Sequence, residues 1–427
     1  MRVFKFGGAS VKDAAAIQNL ESILRSHPDP SGWIVISAMA KTTNALERVV
    51  KALEESVEAA LEEFREVREF HIEEARLLSR ESGTDLSVVL EPLLIGFEKG
   101  LYSWRSLPYG ERYDAMVGYG EWLSTTLISA YLNDRGIPIQ WVDARKLIIT
   151  DAHHRRASVH WDQTEENLRA VQDDIRRWKI IGGFVGATKS GVPTTLGREG
   201  SDFTAAIIAY CLDASEVTIW KDVEGVLNGD PKVFGNTLLL EEIAYREAIE
   251  LAYYGASVIH PKTVQPLQKK EIPLRVRSFM NPSSKGTVIK KGLMLKPMVP
   301  CFIQKRDQVL ISLSTRNLDF IIEDHLSRIY RTFHQHGVAV NLMQNSAVTT
   351  SFSVNQDPVL LPRLMDDLAV DFDLRYNEGL TLFTIRHHNS EIIERYRGYC
   401  EVYLEQITRH TYQLLGKPKD GSNNFYF

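Results

Sequence analysis

Short apolar strands that end in small-residue loops and run directly into helices recur along the first two thirds of the chain, and this repeat constrains the fold most. Arg2-Val3-Phe4-Lys5-Phe6 is followed by Gly7-Gly8-Ala9-Ser10 and a helix beginning near Val11. Trp33-Ile34-Val35-Ile36 leads into Ser37-Ala38-Met39-Ala40-Lys41-Thr42-Thr43-Asn44 and a helix from Ala45. A strand over 180–185 meets Gly183 and Gly186. After Thr194-Thr195-Leu196-Gly197-Arg198-Glu199-Gly200, the residues Phe203, Ala206, Ile207, Tyr210 and Cys211 follow at helical spacing. Further strands are expected over 139–142, 216–220 and 274–278. Alternation of this kind predicts an α/β sandwich with a mostly parallel central sheet from residue 1 to about 295.

The loops carry chemistry suited to an anion. Glycine lets the backbone approach a ligand closely with its N–H groups exposed, as at Gly7, Gly8 and Gly197. Ser201 and Asp202 have the chemistry of a helix N-cap, where the positive end of the helix dipole adds to the same spot. Arg198 is a natural fork for a carboxylate or phosphate. Lys5 stands ahead of its two glycines, so this is not a Walker A loop, which sets lysine after the second glycine.

Composition narrows the class. A chain of 427 residues holds two or three domains. Its net charge of −5 argues against nucleic acid as a partner. Cys211, Cys301 and Cys400 have no paired spacing, as expected of reduced thiols without a zinc site. No apolar stretch is long enough for a bilayer, and Met1-Arg2 enters a strand at once, so a cytoplasmic protein without membrane contact is expected.

Residues 51–81 read as a long amphipathic helix or helix pair. A domain boundary is expected between Gly286 and Pro300, dividing 1–295 from a region at 296–416. There a strand (309–315), helix (320–336), strands (339–343, 350–354), helix (359–368) and strands (372–376, 380–385) give a ferredoxin-like α+β unit over about 307–388. The remainder, best ordered over 401–415, is too short for a second full unit and is expected to lend a strand to a reduced one. Residues 417–427 read as a disordered tail.

Ordered motifs then tie the chain to a family. Lys5 to Ser10, Ile36 to Asn44, Gly120-Glu121-Trp122-Leu123-Ser124, Thr194 to Asp202 and Tyr254 to Pro261 together resemble the aspartate kinases of the amino-acid kinase superfamily. That resemblance implies ATP and L-aspartate as substrates, with Mg²⁺ held chiefly by the nucleotide and no protein metal ligand expected. It implies Lys5 and Asp202 as catalytic residues, with Gly7, Gly8 and Ser201 around the phosphates. Arg198 would clamp a carboxylate of aspartate and Glu121 its ammonium group, with Ser37 and Thr43 completing the cradle. Lys221, Asp222, Gly225, Asp230, Lys232 and Ser257 would face the nucleotide. The C-terminal unit resembles the ACT modules of the same family, which implies a homodimer or higher homo-oligomer and an amino-acid effector near Asn341, Met343, Gln344 and Asn345.

The chemistry fits these residue types. An aspartate side chain is already ionised at neutral pH and needs no general base. Bringing it to a triphosphate requires positioning and charge neutralisation. Ala9 replaces a threonine and Glu199 a glycine of the family's motifs, and on the nucleotide side Ser257 and Lys232 stand where the family has lysine and arginine, and Lys221 where it has threonine. A lysine at 221 moves positive charge toward the space left at Ser257. Two other readings compete: another kinase of the superfamily, and a catalytically weak amino-acid sensor. No Gly-x-Gly-x-x-Gly pattern follows the regulatory region, so a fused dehydrogenase is not expected.

Overall fold

A computed structural model of the chain describes residues 1–27, 31–172, 177–256, 259–317 and 319–419. They form two compact units. One comprises Met1–Val226, Leu239–Ile249 and Val258–Pro297; the other comprises Leu227–Leu238, Glu250–Ser257 and Met298–Phe427.

The first unit is built on an eight-stranded sheet. Its order is Ile139–Val142, Trp178–Gly182, Gly32–Ile36, Arg2–Phe6, Glu216–Lys221, Leu274–Ser278, Thr287–Ile289 and Glu242–Ile243. Neighbours are parallel except Thr287–Ile289, which runs against Leu274–Ser278. Trp33, Ile34, Val35 and Ile36 are wholly buried, as a strand covered by helices on both faces requires. Phe6 lies level with Ile36 on one side and Trp220 on the other, so the loops after these three strands leave from one edge.

The charged run at 51–81 is a helix pair, Thr42–Glu55 and Val57–Ser82. The break is Ser56, whose extended backbone ends the first helix and whose hydroxyl accepts the Ala59 N–H to cap the second. Val57, Ala60, Phe64, Val67, Ala75 and Leu78 form the buried stripe of the second helix, and Phe64 stacks on Phe97 at 4.0 Å.

Three local expectations are corrected. The strand expected over 180–185 stops at Gly182; Val185–Thr188 joins a separate three-stranded sheet with Ile149–Thr150 and Pro193–Thr195. The cause is Phe184, whose φ of 68° turns the chain out of the first sheet. Ser201 and Asp202 do not cap their helix. Glu199 is the N-cap, at φ 55°, and both residues sit in the first turn of Gly200–Cys211. Near Val11 the chain makes a short 3-10 turn, Gly8–Val11, before the Asp13-capped helix Ala14–Arg25.

The second unit carries a six-stranded antiparallel sheet. Its order is Val340–Asn345, Thr349–Asn355, Cys301–Thr315, Phe372–Arg386, Thr411–Pro418 and Cys400–Ile407. The strands expected at 372–376 and 380–385 are one strand of 15 residues, paired along its length with Cys301–Thr315, also 15 residues. Their register shifts between Lys305 and Leu310, around Asp307 at φ 54°. On one side of this bulge Val309, Ile311 and Leu313 pack with Ile329, Phe333 and Leu364. On the other, Phe302, Phe383 and Ile385 pack with Tyr396, Tyr412 and Leu414. Residues after 388 therefore supply a helix, Ser390–Tyr399, and two strands, more than the single strand expected. Lys417 and Pro418 belong to the last strand rather than to a tail, and 420–427 lie outside the described residues.

Candidate active site

The loops leaving the parallel strands enclose a cleft of about 950 Å³ at the carboxyl edge of the sheet. That edge is where ligands of open α/β sheets bind. Lys5, Gly8, Ser37, Thr43, Glu121, Arg198, Ser201, Asp202 and Lys221 all line it, so the structure brings together residues spread over more than half the chain. Gly7 is their immediate neighbour: a Cβ there would come within 3.3 Å of Lys5 Nζ. At Gly8 a Cβ would meet the Ala38 and Ala40 carbonyl oxygens at 2.9 and 3.0 Å, so glycine is what lets the two loops close on each other.

Asp202 is the electrostatic centre. Lys5 Nζ lies 2.6 Å from its Oδ1 and Lys221 Nζ lies 3.3 Å from its Oδ2. Burial pushes this carboxyl up, but Lys5 and then Lys221 outweigh it and hold the group below the usual carboxylate range. Lys221 is thus no exposed strand-end charge; its side chain is 19% exposed and points at the site.

Glu121 lies in the first turn of the helix Tyr119–Asp134 and is fully buried. Its Oε1 accepts the Ala38 N–H at 3.1 Å, while Oε2 has no hydrogen-bond partner among the described residues. Burial raises its carboxyl to about 8, against weaker opposing effects of the Ala38 N–H and the Lys5 charge. Such a group awaits a cationic or donor partner. Across the lining, five cationic side chains (Lys5, Arg155, Arg156, Arg198, Lys221) face three carboxyls (Glu121, Glu199, Asp202). The cleft is basic although the chain is acidic, which suits it to an anionic ligand.

Sequence reasoning missed a supporting cluster at the rim. Buried Asp114 accepts the Thr195 hydroxyl at 2.6 Å and the Arg155 N–H at 3.0 Å, and lies 2.8 Å from His154 Nδ1. This fixes the 153–156 loop, with Arg155 at φ 68° and its guanidinium over the Tyr113 ring at 4.9 Å. The signal was a carboxyl seven residues before Glu121, unremarkable until a loop forty residues on folds over it. Phe184 and Glu199 also line the cleft, each at positive φ.

Two of the expected nucleotide-facing residues in this unit do not line the cleft. Asp222 is exposed and Gly225 is packed against Thr287; neither lines it. Asp230 accepts the Lys232 N–H at 2.9 Å, and both belong to the second unit. Ser257 lies outside the described residues. His260 accepts the Lys262 N–H and caps the helix Pro261–Lys269, a structural task.

In the second unit, Asn341 is occupied internally. It accepts from Lys305 Nζ at 2.9 Å and donates to Gln308 and Asn355, each at 2.8 Å. Met343 Sδ accepts from the Tyr330 hydroxyl, while Gln344 and Asn345 are exposed on the edge strand. Among the described residues no group of three or more His, Cys, Asp or Glu side chains could hold a metal ion. Nor is any of their helices long and apolar enough to cross a membrane.

The parallel sheet, with its glycine loops and its lysine-bound aspartate, defines an amino acid kinase, and residues 1–278 match the model of the Amino acid kinase family. Over 419 residues the chain is 32% identical to chloroplastic aspartokinase 1 of Arabidopsis thaliana, covering 92% of this chain and 72% of that one. It is 31% identical to the lysine-sensitive aspartokinase 3 of Escherichia coli over 405 residues, covering 90% and 86%. The crystal structure of E. coli aspartokinase III with aspartate and ADP superposes with a TM-score of 0.81, at 26% identity over 98% of this chain and 96% of that one. The chain belongs to the aspartokinase family, whose members phosphorylate the carboxyl group of aspartate.

Proposed function

We propose that this cleft transfers the γ-phosphoryl group of ATP to the side-chain carboxylate of L-aspartate, giving 4-phospho-L-aspartate and ADP, the first step toward the aspartate-derived amino acids. The observation that carries the reading is the pairing of opposite demands in one cleft. Glu121 offers a bare buried oxygen to an ammonium group, while Lys5, Lys221 and Arg198 offer charge to carboxylate and phosphate. The structural relative holds aspartate and ADP together, which supports the same pair of ligands here.

In the reaction a carboxylate oxygen forms a bond to the γ-phosphorus as the bond from that phosphorus to the bridging oxygen breaks. The electron pair leaves on ADP, and no proton moves. Arg198 and Glu121 orient the amino acid, Ser37 and Thr43 border it, Ser201 lies with Gly7 and Gly8 around the phosphates, and Lys5 neutralises the transferring group. Such positioning and charge compensation are the main levers in phosphoryl transfer. Asp202 is already shared by two lysines. Mg²⁺ in this reading arrives on the nucleotide phosphates.

Regulation follows as a coarser proposal. The E. coli relative is lysine-sensitive, and an amino-acid effector acting through the second unit, with homodimers forming along the Val340–Asn345 edge strand, is the arrangement we infer. The cytoplasmic location expected from the sequence is retained with it. The deciding experiment supplies ATP, Mg²⁺ and L-aspartate, traps the acyl phosphate with hydroxylamine, and runs L-glutamate in parallel. Hydroxamate with aspartate alone is expected. Equal rates with glutamate, or aspartate binding without turnover, would overturn the reading. L-lysine titrated into the same assay tests the effector.

A further inference from the structure

We propose that Lys221 is a second catalytic cation of this enzyme, acting on the leaving ADP while Lys5 acts on the transferring phosphoryl group, with Asp202 holding the two amines apart. The assignment rests on the aspartate kinase reading above and extends it.

The placement comes from the sheet. Lys5 is level with Ile219 on the neighbouring parallel strand, and Lys221 lies two residues farther along that strand. Side chains two apart on a strand share a face, so both amines rise on the same side of the sheet, with Lys221 nearer its carboxyl edge. Asp202 enters from the first turn of Gly200–Cys211 and divides its oxygens between them, 2.6 Å to Lys5 and 3.3 Å to Lys221. All three side chains are less than one fifth exposed, and all three line the cleft.

Two ammonium groups on one carboxylate leave a net positive charge in the cleft. A structural ion pair needs one lysine; the second adds a cation at the same carboxylate, inside the cleft that the first also lines. The strand order separates their tasks. Ser37, and with it the Glu121 seat for the acceptor, lies on the Gly32–Ile36 side of Lys5, whereas Lys221 lies on the other side. Lys5 therefore stands between the acceptor and Lys221. When the bond from the γ-phosphorus to the bridging oxygen breaks, the electron pair collects on the β-phosphate of ADP. Lys221 is the cation set to meet it. A preorganised charge at such a point acts without reorganisation during the reaction.

The test uses the full chain with Lys221→Met and Lys221→Arg. Lys221→Met is expected to lower kcat by about 100-fold, the scale for losing one preorganised donor, with KM for L-aspartate changed by less than about threefold. Calorimetry should show ADP binding weakened about tenfold and AMP binding, which lacks the β-phosphate, unchanged. Lys221→Arg should recover kcat to within about tenfold of wild type, because the charge is kept though its geometry changes. If Lys221→Met keeps kcat and ADP affinity within about twofold, or loses AMP as strongly as ADP, the proposal falls. A wild-type chain inert toward aspartate would instead refute the substrate reading. The ADP-against-AMP comparison would still decide for or against Lys221.

Discussion

At the scale of single residues, Glu121 shows what a binding group costs before its ligand arrives. Its carboxyl is raised from an ordinary 4.5 to about 8 by burial. Between those values the folded chain binds the proton more tightly than the unfolded chain, so stability falls as pH rises through this window and levels off above it. Glu121→Gln should remove that loss. It should be more stable than wild type at pH 8 by on the order of a few kcal/mol, with little difference near pH 4.5, as denaturant melts across pH would show. The same change should raise KM for L-aspartate by about 30-fold or more, since a neutral amide replaces a charge-assisted partner for an ammonium group. If the pH dependence is identical in both proteins, Glu121 is not the titrating group. That Lys5, Ser37, Thr43, Glu121, Arg198, Ser201 and Asp202 share one cleft was legible because each sits in a compact local motif. Asp114 and Arg155 were not, because their contact exists only once two distant segments fold together.

At the scale of elements, the site depends on how closely a strand end can approach a helix start. A Cβ on Gly183 would lie 2.5 Å from Ser201 Cβ and 2.7 Å from Ser201 Cα, a backbone atom that cannot step aside. Gly183→Ala should therefore push the first turn of Gly200–Cys211, with Ser201 and Asp202, away from the cleft. We expect about 1–3 kcal/mol of destabilisation, the usual cost of overpacking, together with more than a tenfold loss of turnover. Turnover within twofold of wild type would mean the helix start tolerates the shift. Alternating strands and helices made the parallel sheet readable, because hydrophobic periodicity reports directly on burial. Positive φ at Phe184 and Glu199 left no such mark, since neither residue type favours that conformation. The strand boundary and the helix cap were misjudged at those two places.

At the scale of the whole molecule, the second unit is two modules that share strands. After residue 388 the sequence looks short only because its module borrows half of Cys301–Thr315 and half of Phe372–Arg386. Tyr412, fully buried beside Phe383 and Phe302, is central to that borrowed core. Tyr412→Ala should cost about 3 kcal/mol or more, and calorimetry should show the loss in the unfolding of the second unit as a whole. A melt in which residues 308–377 keep their wild-type transition would show that the modules are independent after all. The shared strands also impose an order in time. During synthesis the segment Cys301–Lys305 emerges long before residues 382–386 exist to pair with it, and longer still before Thr411–Pro418 closes the far edge. Until then its ladder to the later strand is unmade and Phe302 has only Phe234 and Val233 of its final core, so the nascent chain passes through a stage in which holding that segment soluble falls to whatever meets it at the ribosome exit.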